Sequence, residues 1–339
     1  MTSKELVQKT LQFDSPSRIP RQKWILPWAE ENFPQKVRRL KTLFPDDIVS
    51  APAVYKKSLG TRGNPYKPGT YTDEWGCTFY NVEKGVMGKV KDPVIKDWDD
   101  LEKLKMPEAL LSLDISKINE FCRNTDKFVI AGSPCRPFER YQFLRMPENT
   151  FLDIANRPSG FFELLKRIHE IYCRKAEVWA QTEVDALFLM DDWGSQEQML
   201  VHPQTFREIF KPMYKDYIDI SRKSGKYVFM HSDGYIFDIL PDFVEIGIGA
   251  LNSQVFSMGV EKLGQKLKGR ITFWGQMDRL HLLPKGSPQE IKNAVFQIWN
   301  HLYSEGGVIA QCEFGPGARP ENVFAVYKAW EEISSQIKS

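Results

Sequence analysis

The tetrapeptide His231-Ser232-Asp233-Gly234 sets an imidazole and a carboxylate two residues apart. On an extended segment, residues i and i+2 point to the same side. The pair can therefore share a divalent ion, and Gly234 lets the backbone turn away sharply. Cys312, just past the apolar run Val308-Ile-Ala-Gln, is the expected third ligand. His, Asp and a thiolate in tetrahedral positions suit zinc, with the fourth position open for substrate. The competing reading is a hydrogen-bonded strand-end histidine and a buried thiol. A second constellation is Asp191-Asp192, a carboxylate pair after the apolar run Ala186-Leu-Phe-Leu-Met. Adjacent residues on a strand face opposite ways. One aspartate is thus expected to reach substrate or metal, while the other caps a turn or pairs with an arginine.

Such residues need elements to hold them. Short apolar runs recur from residue 127 onward: Phe128-Val-Ile-Ala, Ala186–Met190, Tyr227-Val-Phe-Met, Ala250-Leu-Asn, Ile271-Thr-Phe-Trp and Val308-Ile-Ala-Gln. Between them lie stretches with apolar residues at three- and four-residue spacing, 160–182 and 204–224 among them. A further helix is signalled by Ser287-Pro-Gln-Glu, where Ser287 and Glu290 form a capping box around Pro288. Strands alternating with helices imply a parallel sheet covered on both faces. With two more strands near Trp24 and Ile48, the pattern predicts an α/β fold, a (β/α)8 TIM barrel. An open doubly wound sheet is the alternative, but no G-x-G-x-x-G follows any strand. Residues 1–339 read as one domain, with 1–95 as an N-terminal extension. That extension starts with a short helix over 4–12. It also carries a β-hairpin flap, Tyr71–Tyr80 followed by Val86–Val90.

Barrel active sites sit at the C-terminal ends of the strands. The polar residues just past each apolar run are therefore candidates: Arg136, Glu139, Asp191, Asp192, Gln196, His231, Asp233, Asn252, Gln254, Gln276, Asp278, Cys312 and Glu313. His202, before a proline at a helix start, reads as structural. Lys plus Arg is 46 against 44 Asp plus Glu, a net charge of +2. That balance argues against a nucleic-acid partner, which requires a basic surface. No apolar run is long enough to span a bilayer, and the N-terminus lacks a signal-peptide pattern. The expected location is the cytoplasm, with the five scattered cysteines as free thiols.

The motifs Asp191-Asp-Trp-Gly-Ser-Gln, Pro203, Phe206, Pro212 and His231-Ser-Asp-Gly resemble the uroporphyrinogen decarboxylase superfamily. Within it they are most similar to the corrinoid-dependent methyltransferase branch, the methyltransferase components of O-demethylases. Arg18-Ile-Pro-Arg, Asp73-Glu-Trp-Gly-Cys, Gly85-Val-Met-Gly, Asp97-Trp-Asp-Asp-Leu, Gly306-Gly-Val-Ile-Ala and Arg319-Pro-Glu-Asn-Val extend the likeness over residues 8–333. The resemblance implies a zinc ion held by His231, Asp233 and Cys312. It also implies a methoxylated aromatic substrate and a separate corrinoid protein (a cobalamin carrier) as methyl acceptor. Asp233 stands where thiol-methylating members carry a cysteine, which favours ether cleavage over thiol methylation. By their strand-end position alone, Asp191, Asp192 and Glu313 are the expected catalytic residues. On the same ground, Arg136, Asn252, Gln254 and Gln276 are the expected substrate contacts. Methyl transfer from a corrinoid to a thiol such as coenzyme M is one alternative. Another is a metal-free decarboxylase, which needs Arg136, Arg140 and Arg279 to converge. A homodimer is compatible with the sequence and not specified by it.

Overall fold

The computed structural model describes residues 1–337. Its eight parallel strands are β1 (Arg21–Ile25), β2 (Ile48–Ser50), β7 (Phe128–Ile130), β8 (Ala186–Met190), β9 (Tyr227–Ser232), β10 (Ala250–Ser253), β11 (Thr272–Trp274) and β12 (Val308–Phe314). They follow one another in the order β1-β12-β11-β10-β9-β8-β7-β2. Asp47 joins the two ends. Its N–H donates to the Arg21 carbonyl at 2.8 Å, and its carboxylate accepts the Arg21 N–H at 3.0 Å. The result is the expected (β/α)8 barrel. Two of its strands, β1 and β2, lie within the first 95 residues, so only about the first 20 residues precede the barrel.

The inside of the cylinder is packed with Ile48, Phe128, Ile130, Ala186, Phe229, Ala250, Trp274 and Ile309. The helix Ser3–Gln12 lays Val7 and Leu11 against this cluster, plugging its N-terminal end. The helices of the outer ring include Ser159–Ala180, Lys211–Lys223, Pro288–Leu302 and Pro320–Ile337. Ser287 and Glu290 cap Pro288–Leu302 reciprocally, as the sequence predicts.

The inserted flap is larger than a hairpin. It is an antiparallel sheet of β3 (Arg62–Gly63), β4 (Gly69–Thr72), β5 (Thr78–Asn81) and β6 (Lys89–Val90). The run Tyr71–Tyr80, expected as one strand, folds back on itself at Asp73. There the Asp73 Oδ1 accepts the N–H groups of Trp75 (3.0 Å) and Cys77 (2.9 Å). The flap is fastened to the barrel by Arg140, which pairs with Asp73 at 2.5 Å and reaches Glu74 at 3.6 Å. Among the described residues, no helix is long and apolar enough to cross a membrane.

Candidate active site at the barrel mouth

Which side chains reach the mouth is settled by strand parity. Phe229 and Trp274 lie inside the barrel, and so does His231, two residues beyond Phe229. Its ring packs 5.1 Å from that of Trp24. Met190 and Asn252 are its register partners on the neighbouring strands β8 and β10. His231 Nδ1 contacts Asn252 Oδ1 at 2.7 Å, while the Asn252 Nδ2 donates to the Trp274 carbonyl. The asparagine is thus oriented with its oxygen toward the ring. It fixes the proton on Nδ1 and leaves the Nε2 lone pair free.

That lone pair faces two carboxylates. Asp192 Oδ1 lies 3.6 Å from Nε2, and Asp233 Oδ1 lies 3.7 Å away. Both are too far for hydrogen bonds. Together the three offer one nitrogen and two oxygens within 4.8 Å of one another. Each carboxylate is separately braced. Asp192 Oδ1 accepts the Asp233 N–H at 2.9 Å, and Gln276 Nε2 reaches Asp233 Oδ1 (3.2 Å) and Asn252 Oδ1 (3.0 Å). A free nitrogen lone pair facing two oxygens, each held by neighbouring donors, fits a divalent cation.

The loops carrying these groups lock together. Gly194 N–H donates to the Asp233 carbonyl, and Tyr235 N–H to the Ser195 carbonyl. Gly234 has φ of 81°. A β-carbon there would lie 2.1 Å from the Gly194 carbonyl oxygen, so the turn admits only glycine.

The sequence-derived ligand set needs one correction. Cys312 points out of the barrel. Its register partner is Lys23, whose amine contacts Asp46 at 2.6 Å and the Phe44 carbonyl outside the cylinder. Cys312 lies in the layer between strands and helices, beside Tyr327. Burial pushes its thiol pKa well up, which suits an inert side chain. Its neighbour Glu313 faces inward instead, paired in register with Trp24. Cys312 is therefore turned away from His231 and Asp233, and the third side chain beside them is Asp192.

Asp191 is corrected as well. It is fully buried and faces away from the mouth. Its carboxylate accepts the N–H groups of Phe138 (3.1 Å) and Glu139 (2.7 Å) and the Tyr214 hydroxyl (2.5 Å). It thus caps the helix Pro137–Arg145. Of the aspartate pair, Asp192 faces His231 and Asp191 caps the neighbouring helix.

Opposite the cluster, Arg279 bridges Asp233 and Glu313, the second at 3.3 Å. Asn252 and Gln276, expected on the substrate, hydrogen-bond to His231 and Asp233. Gln254 and Gln276 line a cavity of about 250 Å³ with Phe256, Met277 and Arg279. Arg136 touches Met190 Sδ at 3.1 Å and stands 3.8 Å from Glu139. Glu139 senses the charges of Arg136, Asp192 and His231, and its buried Oε2 has no hydrogen-bond partner among the described residues. Burial raises its pKa. Trp24 beside His231 had no sequence signal beyond its strand, whereas Glu139 was visible as a polar residue near a strand end and Arg279 as a cation of the decarboxylase alternative.

Residues 70–333 match the family profile described as "Uroporphyrinogen decarboxylase (URO-D)". No curated protein matches the sequence at a significant level. Among solved structures, a methyltransferase from Methanosarcina mazei aligns with a TM-score of 0.69 and 18% identity, covering 98% of this chain and 99% of that one. A B12-independent methionine synthase from Shewanella sp. W3-18-1 aligns with a TM-score of 0.47 and 12% identity, covering 91% and 90%. Identities this low speak for the shared barrel alone. The profile match, over most of the chain and including the segments that carry Asp192, His231 and Asp233, places this protein in the uroporphyrinogen decarboxylase family.

Proposed function

We propose that this protein is a metal-dependent methyltransferase that removes the methyl group of a methoxylated aromatic compound and passes it to the reduced corrinoid of a partner protein. The observation that carries this reading is the free Nε2 of His231 facing Asp192 and Asp233. A cation held there, zinc in our reading, supplies Lewis acidity toward the ether oxygen. The residues do the rest. Asn252 keeps His231 in the tautomer with its Nε2 lone pair free. Gln276 and Arg279 hold Asp233 from two directions. Trp24 and Phe256 offer apolar surface to an aromatic ring. For the reaction to balance, the ether C–O bond would break with its pair staying on oxygen, the partner's reduced corrinoid would supply the electron pair for the new bond to the methyl group, and the phenoxide would take up a proton.

The donor set also bears on the alternatives. A thiol acceptor is best matched by a thiolate-rich, softer site, and Cys312 is turned away. A metal-free decarboxylase needs free cations in the mouth, yet Arg136, Arg140 and Arg279 each face a carboxylate, Glu139, Asp73 and Asp233 respectively. The deciding experiment is metal analysis of the purified protein, followed by methylation of reduced cobalamin with a panel of methoxyarenes, monitored by absorbance. One equivalent of metal and turnover with at least one methoxyarene is the expected result. Full turnover in metal-free protein overturns the reading.

A further inference from the structure

A second group of metal-ligating side-chain types lies outside the barrel, in the helix layer. Residues four apart on a helix are neighbours on one face, so His169, Cys173 and Glu177 form a line along the helix Ser159–Ala180. The helix Lys211–Lys223 packs beside it and contributes Asp216, whose Oδ2 lies 3.1 Å from His169 Nε2. Cys173 Sγ lies 3.6 Å from the same nitrogen. With the usual bond lengths, ligand atoms on one tetrahedral zinc stand about 3.3 Å apart for nitrogen and oxygen and about 3.6 Å apart for nitrogen and sulfur. Both spacings are thus close to those of a filled site. The sulfur is nearly equidistant from the two ring nitrogens, at 3.6 and 3.8 Å. A swing of the Cys173 side chain toward Asp216 is what completes the set.

The surroundings favour a cation. The charged side chains that the Cys173 thiol senses most are Asp216, Glu177 and Glu170, all negative. Among the described residues Asp216 pairs only with His169, and Glu177 makes no ion pair. The other ring nitrogen, Nδ1, meets the hydroxyl of the buried Tyr217 at 2.9 Å. Metal-bound histidines commonly hold such a partner on their second nitrogen, where it fixes the ring. A hydrogen-bonded bridge between the helices accounts for His169 and Asp216, but not for a thiol set among unpaired carboxylates. We propose that His169, Cys173 and Asp216 form a second divalent-metal site, of the zinc class, which clamps the two helices together. Imidazole, thiolate and carboxylate make a borderline donor set that suits zinc rather than magnesium or calcium. The thiol releases its proton to solvent as the metal binds. His169 and Asp216 are 23% and 59% exposed, so this site holds metal more loosely than the braced mouth cluster and fills on added metal. It does not rest on the methyltransferase reading.

Cobalt(II) is the probe, because a thiolate ligand gives it a strong near-ultraviolet charge-transfer band that nitrogen and oxygen ligands do not. The mouth cluster contains no sulfur, so the band reports the second site alone. Cobalt titrated into the full chain is expected to produce the band beyond the first equivalent. Cys173→Ser should abolish it, while Cys312→Ala and His231→Ala should leave it in place. Asp216→Asn, a change at an exposed position, should weaken the cobalt affinity read from the band at least about 10-fold. Circular dichroism checks that each variant folds. Absence of a thiolate band in the wild type overturns the proposal. So does a band that survives in folded Cys173→Ser, one that vanishes in Cys312→Ala, or an affinity that Asp216→Asn leaves unchanged.

Discussion

At the C-terminal ends of its strands this barrel carries adjacent residues that look alike in sequence and serve opposite ends. The inward members, Asp192, His231, Asp233 and Glu313, gather in the mouth. The outward members, Asp191, Ser232 and Cys312, are buried between strands and helices. Ser232 Oγ accepts the Trp193 N–H, and Trp193 stacks on Phe138 with ring centroids 4.1 Å apart. The outward set thus fixes the loop from which Asp192 projects. The difference shows that chemical type does not distinguish a site residue from a scaffold residue here. A rotation of one position does.

The contrast predicts that changes on the inner face remove function while leaving the fold, and that changes on the outer face do the opposite. The largest effect is expected for His231→Ala. It removes the only nitrogen of the cluster and should lower metal affinity by more than about 100-fold, beyond what an outer partner contributes. Asn252→Ala, which frees the ring without removing it, should fall within about 10- to 100-fold. Metal content by mass spectrometry and melting temperature of the metal-free proteins are the two readouts. A fall in melting temperature for His231→Ala as large as that for Asp191→Ala would break the comparison.

Asp191→Ala should act on stability instead. It strands two helix N–H groups and a tyrosine hydroxyl in a dry layer. The expected loss is about 3 kcal/mol, measured by denaturant unfolding. Metal affinity at low temperature, where the variant remains folded, should stay within a few-fold of wild type. A variant that keeps full stability but loses metal would move Asp191 to the inner set.

Glu139 tests the boundary between the sets, because it is buried yet faces the mouth. Burial raises its pKa in the folded protein. A raised carboxyl pKa favours the folded state at acidic pH, and that contribution is lost as pH rises from the unfolded value through the folded one. Glu139→Gln should therefore melt higher than wild type at pH 7 when both are metal-free. The gap should close below the ordinary glutamate range near pH 4. A gap that widens toward acid would show that Glu139 is stabilised as a carboxylate, held by Arg136.

Much of this was legible in the sequence, for identifiable reasons. The six apolar runs from Phe128 to Gln311 marked barrel strands because short covered strands interrupted by helical periodicity have few other solutions. His231 and Asp233 were legible because i and i+2 share a face whatever the strand's rotation. Absolute rotation was not legible. In β12 every residue except Glu313 is buried, on both faces, so hydrophobicity carries no parity signal. Only the register Trp274 to Ile309 and Trp24 to Glu313 reveals that the odd positions face inward. The flap's fold-back at Asp73 escaped for a local reason. A side chain accepting two backbone N–H groups makes a turn inside a sequence otherwise suited to one strand.

Cys312 is the smallest and sharpest test, since its residue type suggests a ligand and its rotation denies it. Its side chain is 1% exposed in the apolar layer, and among the described residues its thiol makes one long contact, 3.8 Å, to the Glu313 carbonyl. Cys312→Ala leaves a small void there and should cost about 1 kcal/mol, the scale of a modest core truncation. Metal content and methyl transfer should match wild type. The contrast with Glu313→Ala, one residue on, is direct. That change frees one arm of Arg279 and alters how Asp233 is held, so it should weaken metal binding while costing little stability. If Cys312→Ala lost metal and Glu313→Ala kept it, β12 would have to be turned by one residue in the working protein, and the inward set would need to be redrawn around the thiol.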